Sequence, residues 1–467
     1  MSSAQRPWAG RRLHFVGVGG AGMSGYARAA HALGAAVSGS DEADSPYSRR
    51  LREEGVLLAS IGHDAANVPA GEGVEVVYSS AVRAENPELA AARERGLPVR
   101  PRAELLAELT ALKKTIAVAG AHGKTTTASM IVGVLRAEGM DPSWLVGSPV
   151  GEGLANSYWA PTHPTHPTHP GEWLVVEADE SDRSMLSLHV EIAVLTNVEL
   201  DHHATFGSLS ELREAFREFL SLARRAIVVW DRPDLIALAE LSTTVAGEGR
   251  PVVEVVPFDV PDPLLREGGS TFAWRGSHVS VAVPGAHNAL NAVAALEAAR
   301  LAGVDGTAAI TGFRGAGRRF QRLGVTERGA LVYDDYAHHP TEVAATLRAA
   351  RTLRHRRLVA VFQPHLYSRT EMLAREFGAA LALADVVVVL DVYAAREHRE
   401  DHPGVSGLLI AAAATDAAGG RPVYWLPSFA EAEPVLRGML GEGDVCLVMG
   451  AGDVDALGRR LMGTDGV

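Results

Sequence analysis

The sequence predicts an α/β protein of three domains, and three observations predict it. The chain has 467 residues, more than one compact core serves. Short apolar runs alternate with Ala-rich, charge-studded helical stretches from end to end, the order that favours parallel sheets. Polar motifs follow these runs in three separate stretches, where the ligand crevice of an open α/β sheet lies. The boundaries are placed at the polar LKK patch and near Leu323, giving units 1–112, 113–323 and 324–467.

In the first unit LHFVGV, AAVSGSD, VEVVYSSA and LPVR read as strands, with PELAAARERG and AELLAELTALK as helices. The segment HFVGVGGAGMSG carries Gly17, Gly19 and Gly22 in GxGxxG spacing between a strand and a helix, which predicts a diphosphate held at a helix N-terminus. Asp41 falls where a dinucleotide-binding protein places its ribose acid. Alone, this turn says dehydrogenase.

The second unit changes that reading. GAHGKTTT follows the strand TIAVAG and opens a helix, the setting of a phosphate loop. Its N–H groups would cradle phosphate oxygens, Lys124 would neutralise the β and γ phosphates, and the Thr125 hydroxyl would hold Mg2+. The loop is a variant, because the first glycine of GxxxxGK[ST] would fall at Val118. The 44 basic residues include only three lysines, so a retained lysine points to a need for lysine. EADESD (Glu177 to Asp182) ends the next strand with four carboxylates, a solvated acidic loop by itself and a Mg2+ site beside a phosphate loop. LTNVELDHH adds Asp201, His202 and His203, whose spacing leaves a second metal and a helix cap equally open. The THPTHPTHP insert (162–170) reads as an extended solvated loop.

The third unit runs ALVYDD, LVAVFQP, DVVVVLDVY, PVYWLP and DVCLVMG, with DDYAHHPTE and FQPHLYSR each following a strand. A net charge of −12 disfavours a broad grip on nucleic acid or an anionic membrane. Cys446 is the only cysteine, so no intrachain disulfide forms, and neither a signal peptide nor a membrane span is read; a cytoplasmic location is expected.

AGAHGKTTT, EADESD, LTNVELDH, GAHNALNAVAA, GRRF, DDYAHHPTE, FQPHLYSR and MGAG occur in the order seen in the Mur ligases of peptidoglycan synthesis, and the chain resembles that family over nearly its whole length. The resemblance implies an N-terminal Rossmann-like domain for a UDP-sugar, a central P-loop ATPase-like domain and a C-terminal Rossmann-like domain for an amino acid. It implies ATP and Mg2+ as cofactors, with UDP-N-acetylmuramate and L-alanine as small-molecule substrates. The lactyl carboxylate would take the γ-phosphoryl group, and the alanine amine would displace phosphate from the acyl phosphate. The UDP-sugar set it implies is Gly17, Gly19, Gly20, Gly22, Asp41, Ser79 and Ser80. The ATP set is Gly120, Ala121, His122, Gly123, Lys124, Thr125, Thr126, Asn288 and Asn291. Thr125, Glu177 and His202 would hold the metal, with Lys124, Glu177 and His202 catalytic. Tyr336, His338, His365 and Arg369 would form the amino-acid pocket, Arg369 taking the carboxylate. Arg318 and Arg319 resemble phosphate or hinge residues.

The chain departs from the family at Ala121, where threonine is usual, and at His203 to Phe206, where the usual Met-Asp-Thr-Tyr is replaced. No lysine follows Lys124, so no carbamoylated lysine can hold a second metal. Three other functions stand beside it: a recycling ligase joining a tripeptide to the same UDP-sugar; an NAD-dependent dehydrogenase, which leaves Lys124 and EADESD without a role; and a non-catalytic nucleotide switch, for which no guanine-reading NKxD follows the phosphate loop. Monomer and homodimer stay open.

Overall fold

The computed structural model describes residues 6–162, 170–200, 205–244 and 252–463; Asp201, His202, His203 and most of the THP repeat lie outside this set. Its three larger sheets are parallel at their centres, as the alternation of apolar runs and helices predicts. The first comprises β1 (Arg12–Val16), β2 (Ala36–Asp41), β3 (Leu58–Ile61), β4 (Val74–Tyr78) and β5 (Val99–Pro101), in the order β3-β2-β1-β4-β5. Strand order reverses beside β1, and the glycine turn leaves its carboxyl end there.

The second sheet comprises β6 (Lys114–Ala119), β7 (Ser143–Leu145), β8 (Ser157–Tyr158), β9 (Trp173–Glu177), β10 (Val190–Leu195), β11 (Ala223–Trp230) and β12 (Glu254–Phe258). Its order is β12-β11-β10-β6-β9-β7-β8, antiparallel only at β8. Strand β6 lies between β9 and β10, with Val118 opposite Glu177 and Ala119 opposite Leu195. Three strands therefore end at one level, and the loops after residues 119, 177 and 195 gather at the same sheet edge.

An antiparallel meander follows, β13 (Leu264–Arg266), β14 (Gly269–Trp274) and β15 (Ser277–Val281). The last sheet holds β16 (Gln321–Val325), β17 (Leu331–Asp335), β18 (Arg357–Phe362), β19 (Val386–Val389), β20 (Val423–Trp425) and β21 (Asp444–Met449), ordered β16-β17-β21-β18-β19-β20 with β16 antiparallel.

By packing, the chain divides into two compact units: Met1–Asp259 with Asn291–Ile310, and Val260–Leu290 with Thr311–Val467. The meander falls in the second unit, whereas the sequence reading ran the central domain to 323. Within the first unit one apolar cluster spans both sheets, from Phe15, Met23 and Leu105 to Leu145, Met185 and Phe216. In the second unit the last sheet is covered on both faces, by a cluster including Val343, Phe377 and Ile410 and by another including Leu436 and Leu457. Both faces of a parallel strand are buried in this arrangement, which is why VVVV and DVCLVM carry no alternation.

Two polar devices fix the first unit. The buried Glu88 carboxylate, in the first turn of the helix Pro87–Glu94, accepts from Ser40 Oγ at 2.6 Å and meets His14 Nε2 at 2.7 Å and His63 Nδ1 at 2.9 Å. Burial works to raise it, but these partners outweigh burial and bring it down to about 2. Elsewhere the Lys113 ammonium donates to Ala160 O at 2.8 Å and to Gly171 O, the residues flanking the THP insert, and lies 5.0 Å from the Trp159 ring centre. Gly171 is left-handed (φ +81°), and a Cβ on it would lie 2.0 Å from Pro161 O, so the incoming and outgoing chains touch. Burial lowers Lys113 to about 8.

Candidate active site

The phosphate loop runs from Gly120 (φ +132°) to Gly123 (φ +82°), the N-cap of the helix Lys124–Ala137. Neither glycine could be replaced freely, since a Cβ would come 2.2 Å from Thr196 Oγ1 at Gly120 and 2.6 Å from Asn291 Oδ1 at Gly123. No side chain caps the helix, which leaves its first turn of N–H groups to meet an anion. The residues after β10 hold the loop in shape. Thr196 Oγ1 donates to His122 O at 2.6 Å, Asn197 Nδ2 donates to the same carbonyl at 2.9 Å, and Asn197 Oδ1 accepts from His122 N at 2.9 Å. His122 Nε2 meets Glu199 Oε2 at 2.9 Å.

Lys124 Nζ donates to Gly120 O at 2.6 Å and lies 3.0 Å from each oxygen of Glu180. Burial works against the ammonium, but Glu180, Asp179 and Glu177 outweigh it and raise Lys124 above its ordinary value. The neighbouring carboxylates thus favour the charged form of a lysine whose side chain is 16% exposed. Within EADESD the carboxylates divide their work. Glu180 pairs with Lys124, and Glu177 Oε1 accepts from Gly147 N at 2.7 Å. Asp179 and Asp182 take Arg102, through Nη2 at 3.0 Å and Nε at 2.7 Å. Burial would raise Asp179, but Arg102 and Lys124 bring it down to about 2.

The glycine turn lies in the same unit. Gly17 is left-handed (φ +82°), and a Cβ there would lie 3.1 Å from the Cβ of Ser79. Asp41 Oδ2 accepts from Gly19 N at 2.7 Å, and Ser45 Oγ donates to Gly19 O at 2.8 Å. Asp41 therefore shapes the turn itself. Gly20 is the N-cap of the helix Ala21–Ala32 and makes no side-chain cap, so that N-terminus too is open to an anion. Ser80 is exposed beside the turn. From the central sheet, Asn156 Nδ2 donates to Ala21 O at 2.6 Å.

In the second unit the four predicted pocket residues come together. The rings of Tyr336 and His338 lie 5.3 Å apart, His338 and His365 5.9 Å apart, and Arg369 Nη1 lies 3.3 Å from His365 Nδ1. Tyr393 stacks on His365 at 5.9 Å. Arg369 is 4% exposed, a guanidinium set well below the surface. Arg318 donates to Gly450 O at 2.8 Å, to Gly452 O at 3.0 Å and to Asp334 at 3.2 Å, sewing GRRF to MGAG, while Arg319 lies 3.7 Å from Glu342. Burial pushes Asp334 up to about 7 in spite of Arg318. Asn288 Nδ2 donates to Pro284 O at 2.7 Å, a local bond within its own helix start, whereas Asn291 packs on Gly123 of the phosphate loop.

His202, expected as catalytic and metal-binding, lies outside the described residues. Sequence reasoning missed Thr196, Asn197, Glu199, Tyr393 and Arg102. The first three sit in LTNVELDHH, where only the last residues were read as functional.

A lysine at an uncapped helix N-terminus beside the buried Glu180, with a second uncapped helix N-terminus in the same unit, is an arrangement suited to an α/β enzyme that handles phosphates. Comparison with known proteins gives the class its family. The catalytic-domain model of the Mur ligase family matches residues 12–114, the Mur ligase middle domain matches 118–299, and the Mur ligase glutamate ligase domain matches 318–452. The chain belongs to the Mur ligase family. A UDP-N-acetylmuramate–L-alanine ligase of Nocardia farcinica is 41% identical over 97% of this chain and 94% of its own. Another of the same name, from Saccharopolyspora erythraea, is 44% identical over 97% of this chain and 92% of its own. Among solved structures, the UDP-N-acetylmuramate-alanine ligase of Thermotoga maritima matches with a TM-score of 0.77 at 28% identity, covering 96% of this chain and 98% of that one. A murein peptide ligase of Psychrobacter arcticus shares the fold, with a TM-score of 0.71 at 23% identity over 97% and 98% of the two chains.

Proposed function

We propose that the chain joins L-alanine to the lactyl carboxylate of UDP-N-acetylmuramate, consuming ATP and releasing ADP and phosphate. The observation that carries the reading is Lys124, a charged ammonium fixed by Glu180 at the mouth of an uncapped helix, in a chain more than 40% identical to ligases of that name. ATP phosphates lie along the N–H groups of 120–126, and Lys124 offsets charge as the γ-phosphoryl group passes to the carboxylate. The acyl phosphate has an activated carbonyl, which the amine of alanine attacks; phosphate leaves, and the amine proton passes to solvent or a neighbouring base. Arg369 takes the alanine carboxylate, and the rings of Tyr336, His338 and His365 leave room for a methyl side chain.

The donor set suits Mg2+. Thr125 and Glu177 are hard oxygen ligands, and Glu177 ends β9 opposite Val118, on the strand that leads into the loop. Thr125 and Glu177, with His202, would hold the ion, which would supply charge neutralisation between two anions. The glycine turn, with Gly17, Gly19, Gly20 and Gly22, takes the UDP diphosphate. Asp41, Ser79 and Ser80 line its uridine side, and Asn288 and Asn291 the adenine side of ATP. Domain boundaries at 112/113 and 323/324 and a cytoplasmic location belong to the same proposal; no helix among the described residues is long and apolar enough to cross a membrane.

The test is phosphate release from ATP with UDP-N-acetylmuramate plus either L-alanine or the tripeptide L-alanyl-γ-D-glutamyl-meso-diaminopimelate. Turnover with L-alanine is expected. Turnover with the tripeptide alone would replace this reading with the recycling ligase.

A further inference from the structure

Arg102 opens the helix Arg102–Ala111, which leads into β6 and so into the phosphate loop. Its guanidinium is the meeting point of two sites that the sequence keeps far apart. One edge is taken by the acidic segment, Nε to Asp182 and Nη2 to Asp179. The remaining nitrogen, Nη1, points the other way, and a Cβ on Gly22 would lie 3.1 Å from it. Nη1 makes no hydrogen bond among the described residues. The side chain is only 15% exposed, so solvent offers Nη1 little compensation. On the far side the same short acidic segment carries Glu180, whose two oxygens lie 3.0 Å from Lys124 Nζ, so contacts run from Gly22 through Arg102 and the 179–182 turn to Lys124.

We infer that Arg102 is a positioning residue that couples occupancy of the glycine turn to the readiness of the phosphate loop. The inference rests on the reading that the turn takes the diphosphate of a UDP-sugar. A planar guanidinium held along one edge can still tilt; an anion on Nη1 fixes the plane, and with it Asp179 and Asp182. With the turn occupied, ATP meets an ordered acidic segment and gives up less freedom in binding. Linkage makes the effect reciprocal: each ligand tightens the other by the same factor.

The experiment titrates the full chain with a non-hydrolysable ATP analogue, with and without saturating UDP-N-acetylmuramate, and reads the ratio of the two dissociation constants. In the wild type the ratio is expected to be about tenfold. In Arg102→Lys the ratio falls towards one, because lysine cannot fork to three groups. Asp182→Asn, which leaves Nη1 in place, lowers the ratio in part and stands in should Arg102→Lys fold poorly. A ratio unchanged in both variants, or equal losses of both affinities with the ratio kept, would make Arg102 a plain structural staple and overturn the inference. A wild-type ratio of one also overturns it while leaving the ligase reading intact. Failure of the wild type to bind UDP-N-acetylmuramate at all sinks the underlying reading instead.

Discussion

Glu180→Gln separates the two jobs of the lysine partner. Glu180 is 1% exposed and both of its oxygens lie 3.0 Å from Lys124 Nζ, so the substitution leaves a buried ammonium facing a neutral amide. Breaking one side of a buried pair costs 3–5 kcal/mol. Here the lower end, about 3 kcal/mol, applies because the Gly120 and Ala121 carbonyls still accept from Nζ. At 1.4 kcal/mol per factor of ten, local opening of the loop becomes roughly a hundredfold more frequent. Hydrogen exchange of the amides of 120–126 reads this directly in the absence of nucleotide. With ATP bound, phosphate oxygens replace the missing carboxylate, and exchange in the variant returns to the wild-type rate. Unchanged exchange in the nucleotide-free variant, or a gap that ATP does not close, would refute the argument that Glu180 is the resting counter-charge of Lys124.

Three further outcomes follow from the geometry. Arg369→Lys removes the fork from a buried site, so KM for L-alanine should rise about 10- to 100-fold, the worth of charge-assisted hydrogen bonds, while KM for ATP stays put; steady-state kinetics in each substrate decides it. Gly123→Ala combines a left-handed backbone with a Cβ 2.6 Å from Asn291 Oδ1, and ATP affinity measured by titration should drop at least tenfold with UDP-sugar affinity kept. Glu88, brought down to about 2, contributes stability that is fully present above its ordinary value of 4.5 and is lost as pH falls from there towards 2. Glu88→Gln should lose on the order of 3 kcal/mol at pH 7 and show a flatter acid limb in calorimetric scans between pH 2 and 5.

The central sheet strands were legible because parallel strands buried on both faces read as unbroken apolar runs, as in TIAVAG, EWLVVEAD and DVCLVMG, whereas the outer strands β3, β8, β12 and β16 were not read. The meander was not, since Leu264–Arg266 is exposed along its length and mixes polar with apolar residues without a period. The phosphate loop announced itself by one lysine in an arginine-rich chain. Which carboxylate would face that lysine could not be read, because side-chain directions in EADESD depend on tight local turns, with Asp179 Oδ1 accepting from Ser181 N and Asp182 Oδ1 from Ser184 N. Thr196 and Asn197 look like ordinary strand-end residues until the neighbouring loop is in place. Arg102 has no local signature at all; its meaning comes from partners 77 and 80 positions away.

The clamp at Lys113 makes the chain a natural host for foreign sequence. One ammonium ties Ala160 to Gly171, so whatever is strung between them leaves and returns through a single point. Doubling such a loop adds only about 0.6 kcal/mol in closure entropy. A fluorescent peptide or affinity handle spliced between Thr162 and Pro170 would therefore ride on the enzyme as a passenger, and Lys113→Met would turn the same graft into a burden on the fold.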